Sequence, residues 1–283
     1  MLTVLESINL STEYLKNKGI ESPRINAELL LAKILNCKRL ELYLSFDRPL
    51  AENEILQYRE FIKRRSSFEP LQYIVGSVEF YGLEFKVNRS VLIPRQETEI
   101  LVETIIKEFQ NQNGLKILDI GTGSGIIAIC LAKYLQNAKV FAIDSSSEAI
   151  KVANKNAELN QVIENITFID SAFDKYLNKE NDFDLIVSNP PYISSEEFQN
   201  LQPELRVYEP RQALTDESNG LSFYEIISRN GKSLLKKNGK IFFEVGENQS
   251  STVKEILIKE DYNNIQIQKD YLNIDRVISG ELN

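Results

Sequence analysis

The stretch Asp184-Leu-Ile-Val-Ser-Asn-Pro-Pro-Tyr-Ile193 decides how the rest of the chain is read. Asp184 to Ser188 is apolar and β-branched enough for a central strand, and the two prolines that follow lack the N–H needed to continue a ladder. The chain must therefore leave the sheet at Asn189. A residue before proline is pushed toward extended geometry, so Asn189 and Pro190 are both stiffened. They present an amide side chain and backbone carbonyls in fixed directions, and Pro191 and Tyr192 follow, with the tyrosine adding a flat aromatic face. That set suits a planar group bearing an NH2, either a carboxamide or the exocyclic amine of a base. Taken alone, the tetrapeptide fits a proline-rich turn with a packed tyrosine equally well.

Strands alternate with helices around this stretch. The expected strands are Lys116 to Ile120, Lys139 to Ile143, Ile166 to Ile169, Asp184 to Ser188, Lys240 to Val245, Ile265 to Lys269 and Arg276 to Ser279. Such alternation predicts an α/β fold with a mostly parallel sheet covered on both faces. Ligands of such sheets sit outside the carboxyl ends of the strands, which is where Asn189 falls.

The first of these strands runs into Leu118-Asp-Ile-Gly-Thr-Gly-Ser-Gly-Ile126 and an apolar helix, Ile126 to Leu135. Gly121, Gly123 and Gly125, with Thr122 and Ser124 between them, allow a tight turn and close approach of a ligand to a helix N-terminus. The spacing is neither the dinucleotide fingerprint nor a P-loop. A glycine turn of this kind is also common as plain structure. The second strand, however, ends in Asp144, placed to accept hydrogen bonds from two ribose hydroxyls at about 1.5–3 kcal/mol each. Ser145 to Ser147 then cap a helix over Glu148 to Leu159. Phe173, after the third strand, suits either an adenine contact or the core.

Upstream, Val4 to Lys18, Pro23 to Leu35, Arg39 to Leu44 and Glu52 to Arg65 carry helical periodicity and predict a small all-α domain over residues 1–70. Gln72 to Val75, Ser77 to Tyr81 and Leu83 to Val87, punctuated by Gly76 and Gly82, predict a β-hairpin connector within 71–93. Ile93-Pro-Arg-Gln-Glu-Thr-Glu99 leads into a helix ending near Gln110 and opens a catalytic domain spanning 94–283.

Composition narrows the chemistry. The chain of 283 residues contains no histidine, which excludes His-based general bases, Ser-His-Asp triads and histidine metal sites. Its two cysteines, Cys37 and Cys130, are isolated and expected to be reduced, and no cysteine cluster suggests a metal. A net charge of −8 argues against broad nucleic-acid binding. Lys63-Arg64-Arg65 is the densest basic cluster, read as a solvated helix end or a partner contact. With no membrane-length apolar run and no leader pattern, a cytoplasmic location is expected.

Glycine loop, acidic end of strand two and Asn-Pro-Pro-Tyr after strand four, in this order, resemble the Rossmann-like class I S-adenosylmethionine-dependent methyltransferases. More narrowly, the chain resembles the peptide chain release factor N5-glutamine methyltransferases (the PrmC/HemK family) along almost its whole length. The matching pieces include Pro70-Leu-Gln-Tyr-Ile-Val-Gly76, Leu92-Ile-Pro-Arg95, Glu97-Thr-Glu99, Glu209-Pro-Arg-Gln-Ala-Leu214, Gly220-Leu-Ser-Phe-Tyr224 and Lys269-Asp-Tyr-Leu-Asn-Ile-Asp-Arg276. The resemblance implies a seven-stranded sheet with an antiparallel last strand and an N-terminal domain that helps to seat a class I release factor. It also implies S-adenosylmethionine held by Gly121 to Gly125, Asp144, Phe173 and Asn189, with no metal. Gln96 stands where the family often has proline, and Ala172 where an acidic residue usually precedes the adenine contact.

On this reading Asn189 and the Pro190 carbonyl accept hydrogen bonds from the substrate amide while Tyr192 stacks on its plane. The rival readings are a ribosomal-protein glutamine methyltransferase, an N6-adenine DNA methyltransferase and an inactive binding module.

Overall fold

The computed structural model describes residues 2–177 and 181–283. The described residues divide into two compact units, one running to Ser77 and including Gln202–Tyr208, the other comprising Val78–Leu201 and Glu209–Asn283. No helix among them is long and apolar enough to cross a membrane.

The first unit is helical: α1 (Val4–Asn17), α2 (Pro23–Leu35), a 3-10 turn over Arg39–Leu44, α3 (Glu52–Ser66) and α4 (Leu71–Val75). Thr3 caps α1 through a reciprocal bond pair with Glu6. Val4, Ile8, Leu15, Leu30, Leu31, Tyr58 and Ile62 form its core. Within that unit Glu28 is fully buried and neutralised by Arg24, Arg39 and the Tyr43 hydroxyl.

Two expectations fail here. Gln72 to Val75 is not a strand but part of α4, because Pro70 starts a helical turn, Gly76 ends it at φ +80°, and Ile74 is buried in the helical core. The basic cluster is also a solvated end only at Lys63, which is exposed. Arg64 makes two bonds to Glu69, and Arg65, only 4% exposed, points inward to Asn26 Oδ1 (2.7 Å), the Glu69 carbonyl (3.1 Å) and Glu204 (2.6 Å). Glu204 lies on Gln202–Tyr208, a strap that leaves the second unit's sequence, forms a π-helical turn and packs in the first unit. The Tyr208 hydroxyl donates to the Ser67 carbonyl at 2.8 Å.

The second unit opens with the hairpin β1 (Ser77–Phe80) and β2 (Leu83–Lys86). Its two-residue turn puts Tyr81 and Gly82 both at positive φ, the geometry that matches strand twist. The elements that follow are α5 (Thr98–Phe109), β3 (Lys116–Ile120), α6 (Ile126–Tyr134), β4 (Lys139–Asp144), α7 (Ser147–Leu159), β5 (Ile166–Asp170), α8 (Phe173–Tyr176) and β6 (Phe183–Ser188). The chain continues through α9 (Ser195–Gln199), α10 (Arg211–Leu214), α11 (Ser222–Gly231), β7 (Leu235–Glu244), α12 (Ser250–Lys259), β8 (Tyr262–Lys269) and β9 (Asp275–Leu282). β7 begins before Lys240 because Leu235 already pairs with Phe183, the intervening residues looping out as a bulge.

Seven strands form one sheet in the order β5-β4-β3-β6-β7-β9-β8, parallel except for β9, which runs antiparallel to both neighbours. Successive residues of the inner strands fill opposite faces. Ile117, Leu185, Val187, Phe242 and Val277 pack in the layer containing α5 and α6; Leu118, Ile186, Ile241, Phe243 and Ile278 pack in the layer containing α11 and α12. Burial on both sides is why these strands read as continuous apolar runs. The hairpin is tied to the glycine loop by one buried side chain: Asn156 accepts from Lys86 N (2.7 Å) and donates to the carbonyls of Lys86 (3.0 Å) and Ser124 (2.9 Å).

Candidate active site

β3 lies between β4 and β6, so the order of connection reverses there and the carboxyl ends of three strands meet at one crevice. Each end carries a segment singled out by the sequence: Gly121 to Gly125 after β3, Asp144 closing β4, and Asn189 to Tyr192 after β6. Ser188 stitches two of them together by donating to the Ile120 carbonyl at 2.7 Å.

The glycine loop bends toward β4, with the N–H groups of Gly121 and Thr122 both donating to the Ile143 carbonyl (2.9 and 3.0 Å). Gly123 N–H donates to Asp144 Oδ2 at 2.9 Å and Ser146 N–H to Oδ1 at 2.9 Å. Asp144 thus orients the loop while keeping lone pairs for a ligand. Burial raises its pKa, and the carboxylate of Asp170, its register partner on β5, adds to the rise. Of the expected caps, Ser146 performs the role, accepting from Ala149 N–H at 3.2 Å. Phe173 starts α8, is half-buried, and packs on the apolar layer beneath the crevice.

Asp119 is fully buried in β3. Thr122 Oγ1 donates to its Oδ2 at 2.6 Å, and burial pushes its pKa up to about 7. Among the described residues its Oδ1 has no partner within hydrogen-bond limits, although the Ala128 N–H faces the carboxyl. The sequence carried a signal for it, a carboxylate inside Lys116-Ile-Leu-Asp-Ile120, where every other interior position is apolar.

After β6, Pro190 is buried while Asn189, Pro191 and Tyr192 are half-buried. Asn189 Nδ2 donates to Thr98 Oγ1 at 3.1 Å, and Thr98 Oγ1 donates to Glu244 Oε2 at 2.6 Å. The Tyr192 hydroxyl stands 3.5 Å from Glu244 Oε1, and its carbonyl accepts from Gln249 Nε2 at 2.9 Å. Burial raises the Tyr192 phenol pKa and pushes the Glu244 carboxyl up to about 7. Arg95 has a different task. It bonds Glu209 at 2.6 Å, and the other Glu209 oxygen accepts from Ile93 N–H at 3.2 Å. Glu99 likewise faces away, accepting from Tyr81 N–H at 2.7 Å. Glu244 and Gln249 escaped the sequence reading, although Glu244 ends the apolar run Ile241-Phe-Phe and so marked itself; Thr98 stood in the Glu97-Thr-Glu99 match, but with no role assigned to it.

A seven-stranded sheet with an antiparallel strand next to one edge and a glycine loop and acidic strand end at the switch point defines a class I methyltransferase. A methyltransferase from Pyrococcus furiosus has a similar fold, with a TM-score of 0.53 at 20% identity, covering 71% of this chain and 89% of that one. Family models agree: the PrmC N-terminal domain matches residues 6–76 and a methyltransferase domain matches residues 111–276. The release factor glutamine methyltransferase of Fusobacterium nucleatum is 44% identical over 275 residues, 97% of this chain and 77% of that protein. That of Geobacter sulfurreducens is 39% identical over 280 residues, 99% of this chain and 97% of that protein. The chain belongs to the release factor glutamine methyltransferase family.

Proposed function

We propose that the chain transfers a methyl group from S-adenosylmethionine to the side-chain nitrogen (N5) of the glutamine in the Gly-Gly-Gln motif of class I peptide chain release factors, a modification that acts on translation termination. The observation that carries this reading is the orientation of the Asn189 amide. Its Nδ2 is committed to Thr98, which leaves Oδ1 as the atom free to accept a hydrogen bond from a substrate NH2.

The crevice suits the cofactor. Its glycine loop offers backbone at close approach, Asp144 keeps acceptor capacity for ribose hydroxyls, and Phe173 offers an apolar face for a base. Gly121, Thr122, Gly123, Ser124, Gly125, Asp144, Phe173 and the backbone at Asn189 are the residues assigned to hold it. When bound, the cofactor supplies an electrophilic methyl on a sulfonium centre.

The chain's own residues must overcome the poor nucleophilicity of an amide nitrogen, whose lone pair is delocalised strongly enough to give amide rotation a barrier of ~18–20 kcal/mol. Asn189 Oδ1 and the Pro190 carbonyl accept from the substrate NH2, and the Tyr192 ring covers the amide plane, with Pro191 fixing the path between them. Positive charge developing on the nitrogen then faces two aimed acceptors. Orientation of two bound reactants is worth ~7–11 kcal/mol. As the new N–C bond forms the S–C bond would break, with S-adenosylhomocysteine as the leaving group, and the nitrogen's proton then passes to solvent, so no strong base is required, in keeping with a chain that has no histidine.

The test is methyl transfer from labelled S-adenosylmethionine to a purified class I release factor, beside its Gln→Ala variant, a ribosomal-protein mixture and unmethylated DNA. Label confined to the wild-type factor is expected; label in the ribosomal proteins or the DNA instead would move the substrate assignment. Asn189→Ala should lower kcat by at least about 100-fold, and normal turnover with normal substrate binding would refute the role given to its amide.

A further inference from the structure

Both side chains assigned to the substrate amide converge on one buried carboxylate. Glu244, at the end of β7, is 2% exposed. Its Oε2 accepts from Thr98 Oγ1, its Oε1 faces the Tyr192 hydroxyl, and its main-chain carbonyl accepts from the Tyr224 hydroxyl at 2.9 Å. We propose that Glu244, acting through Thr98, is a positioning residue that fixes which atom of the Asn189 amide faces the acceptor glutamine. The inference rests on the amide-methylation reading above and extends it.

The logic is one of proton count. A threonine hydroxyl has a single proton, and at 2.6 Å from the carboxylate that proton is committed to Glu244. Toward Asn189, Thr98 Oγ1 has only lone pairs to offer, so the NH2 end of the amide must face it. Oδ1 is thereby turned to the substrate. Protonation of Glu244 removes the constraint: a neutral carboxyl donates to Thr98, the threonine proton is released to point at Asn189, and the amide turns over. It then presents an NH2 to the substrate's NH2, two donors face to face. An ionised Glu244 therefore selects the productive orientation, and a neutral one permits the unproductive one.

The groups facing Glu244 come from every element packed around it: Thr98 and Glu97 at the start of α5, Tyr192 after β6, Tyr224 on α11 and Arg276 on β9. Burial is the largest influence and favours the neutral form, as does Glu97; the Thr98 bond, Arg276 and Tyr192 favour the charged form. The outcome places the titration near neutrality, with a midpoint of about 7. Turnover should accordingly rise with pH along a one-proton limb near that value.

The test measures kcat, KM for the release factor and cofactor affinity from pH 5.5 to 9 in wild type, Glu244→Gln, Thr98→Val and Thr98→Ser. Glu244→Gln keeps the shape but lets its amide face Thr98 either way. It is expected to lose the limb and to have a kcat about tenfold below the wild-type plateau, with cofactor affinity within about threefold. Thr98→Val, close to isosteric, should lower kcat by about 10- to 100-fold while Thr98→Ser restores most of it, which loss of packing alone would not do. A limb that persists in Glu244→Gln, or a Thr98→Val enzyme at wild-type kcat, overturns the inference. Wild-type enzyme that leaves the release factor unlabelled would overturn the substrate reading beneath it, a separate outcome.

Discussion

Replacing Gly220 by alanine should disable turnover while leaving the cofactor site intact. Gly220 sits at φ +81°, and a Cβ built there would lie 2.3 Å from the Tyr192 carbonyl oxygen and 3.0 Å from Gln249 Nε2. The loop bearing Gly220 cannot retreat easily, because Asp216 holds the N–H groups of Ser218, Gly220 and Ser222 at 2.9–3.0 Å. The displacement falls on Tyr192, whose carbonyl must shift by about 0.7 Å to reach even a tight contact of 3.0 Å in a close-packed interior. That shift breaks the 2.9 Å bond from Gln249. The left-handed backbone costs about 1 kcal/mol for a residue with a Cβ, and the lost bond adds about 1 kcal/mol. About 2 kcal/mol in all corresponds to a fall in melting temperature of roughly 4–8 °C. Misplacement approaching an ångström costs on the order of 10- to 100-fold in rate. Radiolabel transfer under saturating release factor gives kcat, and calorimetric titration gives cofactor affinity, expected within about threefold of wild type. Gly114→Ala is the control: its φ is +73° with nothing within 4 Å of the added Cβ, so it carries backbone strain without the clash. If folded Gly220→Ala turned over within about threefold of Gly114→Ala, the claim that Tyr192 placement governs turnover would be wrong.

Asp144→Ala should weaken cofactor binding by at least about 10- to 100-fold, since it removes acceptors worth about 1.5–3 kcal/mol each; unchanged affinity by calorimetric titration would remove Asp144 from the cofactor site. Asp119 makes the cofactor-free protein less stable as pH rises. Burial chiefly, and the Asp144 charge in addition, raise its pKa from 3.8 to about 7, so the native state keeps a proton that the unfolded chain gives up. Its contribution is full below the unfolded value and is lost by the time pH passes about 7, a change of about 2–3 kcal/mol between pH 5 and pH 8. Asp119→Asn should flatten that part of the stability curve in denaturant titrations, and equal pH slopes in the two proteins would contradict the assignment. Arg65→Leu leaves Glu204 and Asn26 without their shared buried partner and should cost about 3–5 kcal/mol, read as a lowered denaturation midpoint. Lys63→Glu should stay within about 0.5 kcal/mol.

What could be read from the sequence was local. Lys116–Ile120 and Pro23–Leu35 fall where periodicity and flanking residues placed them, because both carry an uninterrupted pattern between clear stops. Gln72 to Val75 was misread because a four-residue apolar run has no period of its own; Pro70 and Gly76 decided it. The glycine loop, Asp144 and Asn189 announced themselves because backbone demands at strand ends restrict residue choice. The pairing of Thr98 with Glu244 did not, since their bond spans 146 residues and neither segment names the other as its partner. The strap is the same case. Glu204 reads as a surface acid until its partner Arg65, 139 residues away, is seen to be buried.

That strap makes the helical unit discontinuous in sequence: one part is residues up to Ser77, the other is seven residues borrowed from between Tyr192 and Glu209. A gene fragment ending near residue 77 would therefore encode a fold with one wall missing, and Arg65 would lose its carboxylate partner. The converse excision, starting at Val78, would leave Gln202–Tyr208 without the helices it packs among. Recombination that exchanged the helical unit at a single crossover would mismatch Arg65 and Glu204, so the two parts are expected to be inherited together.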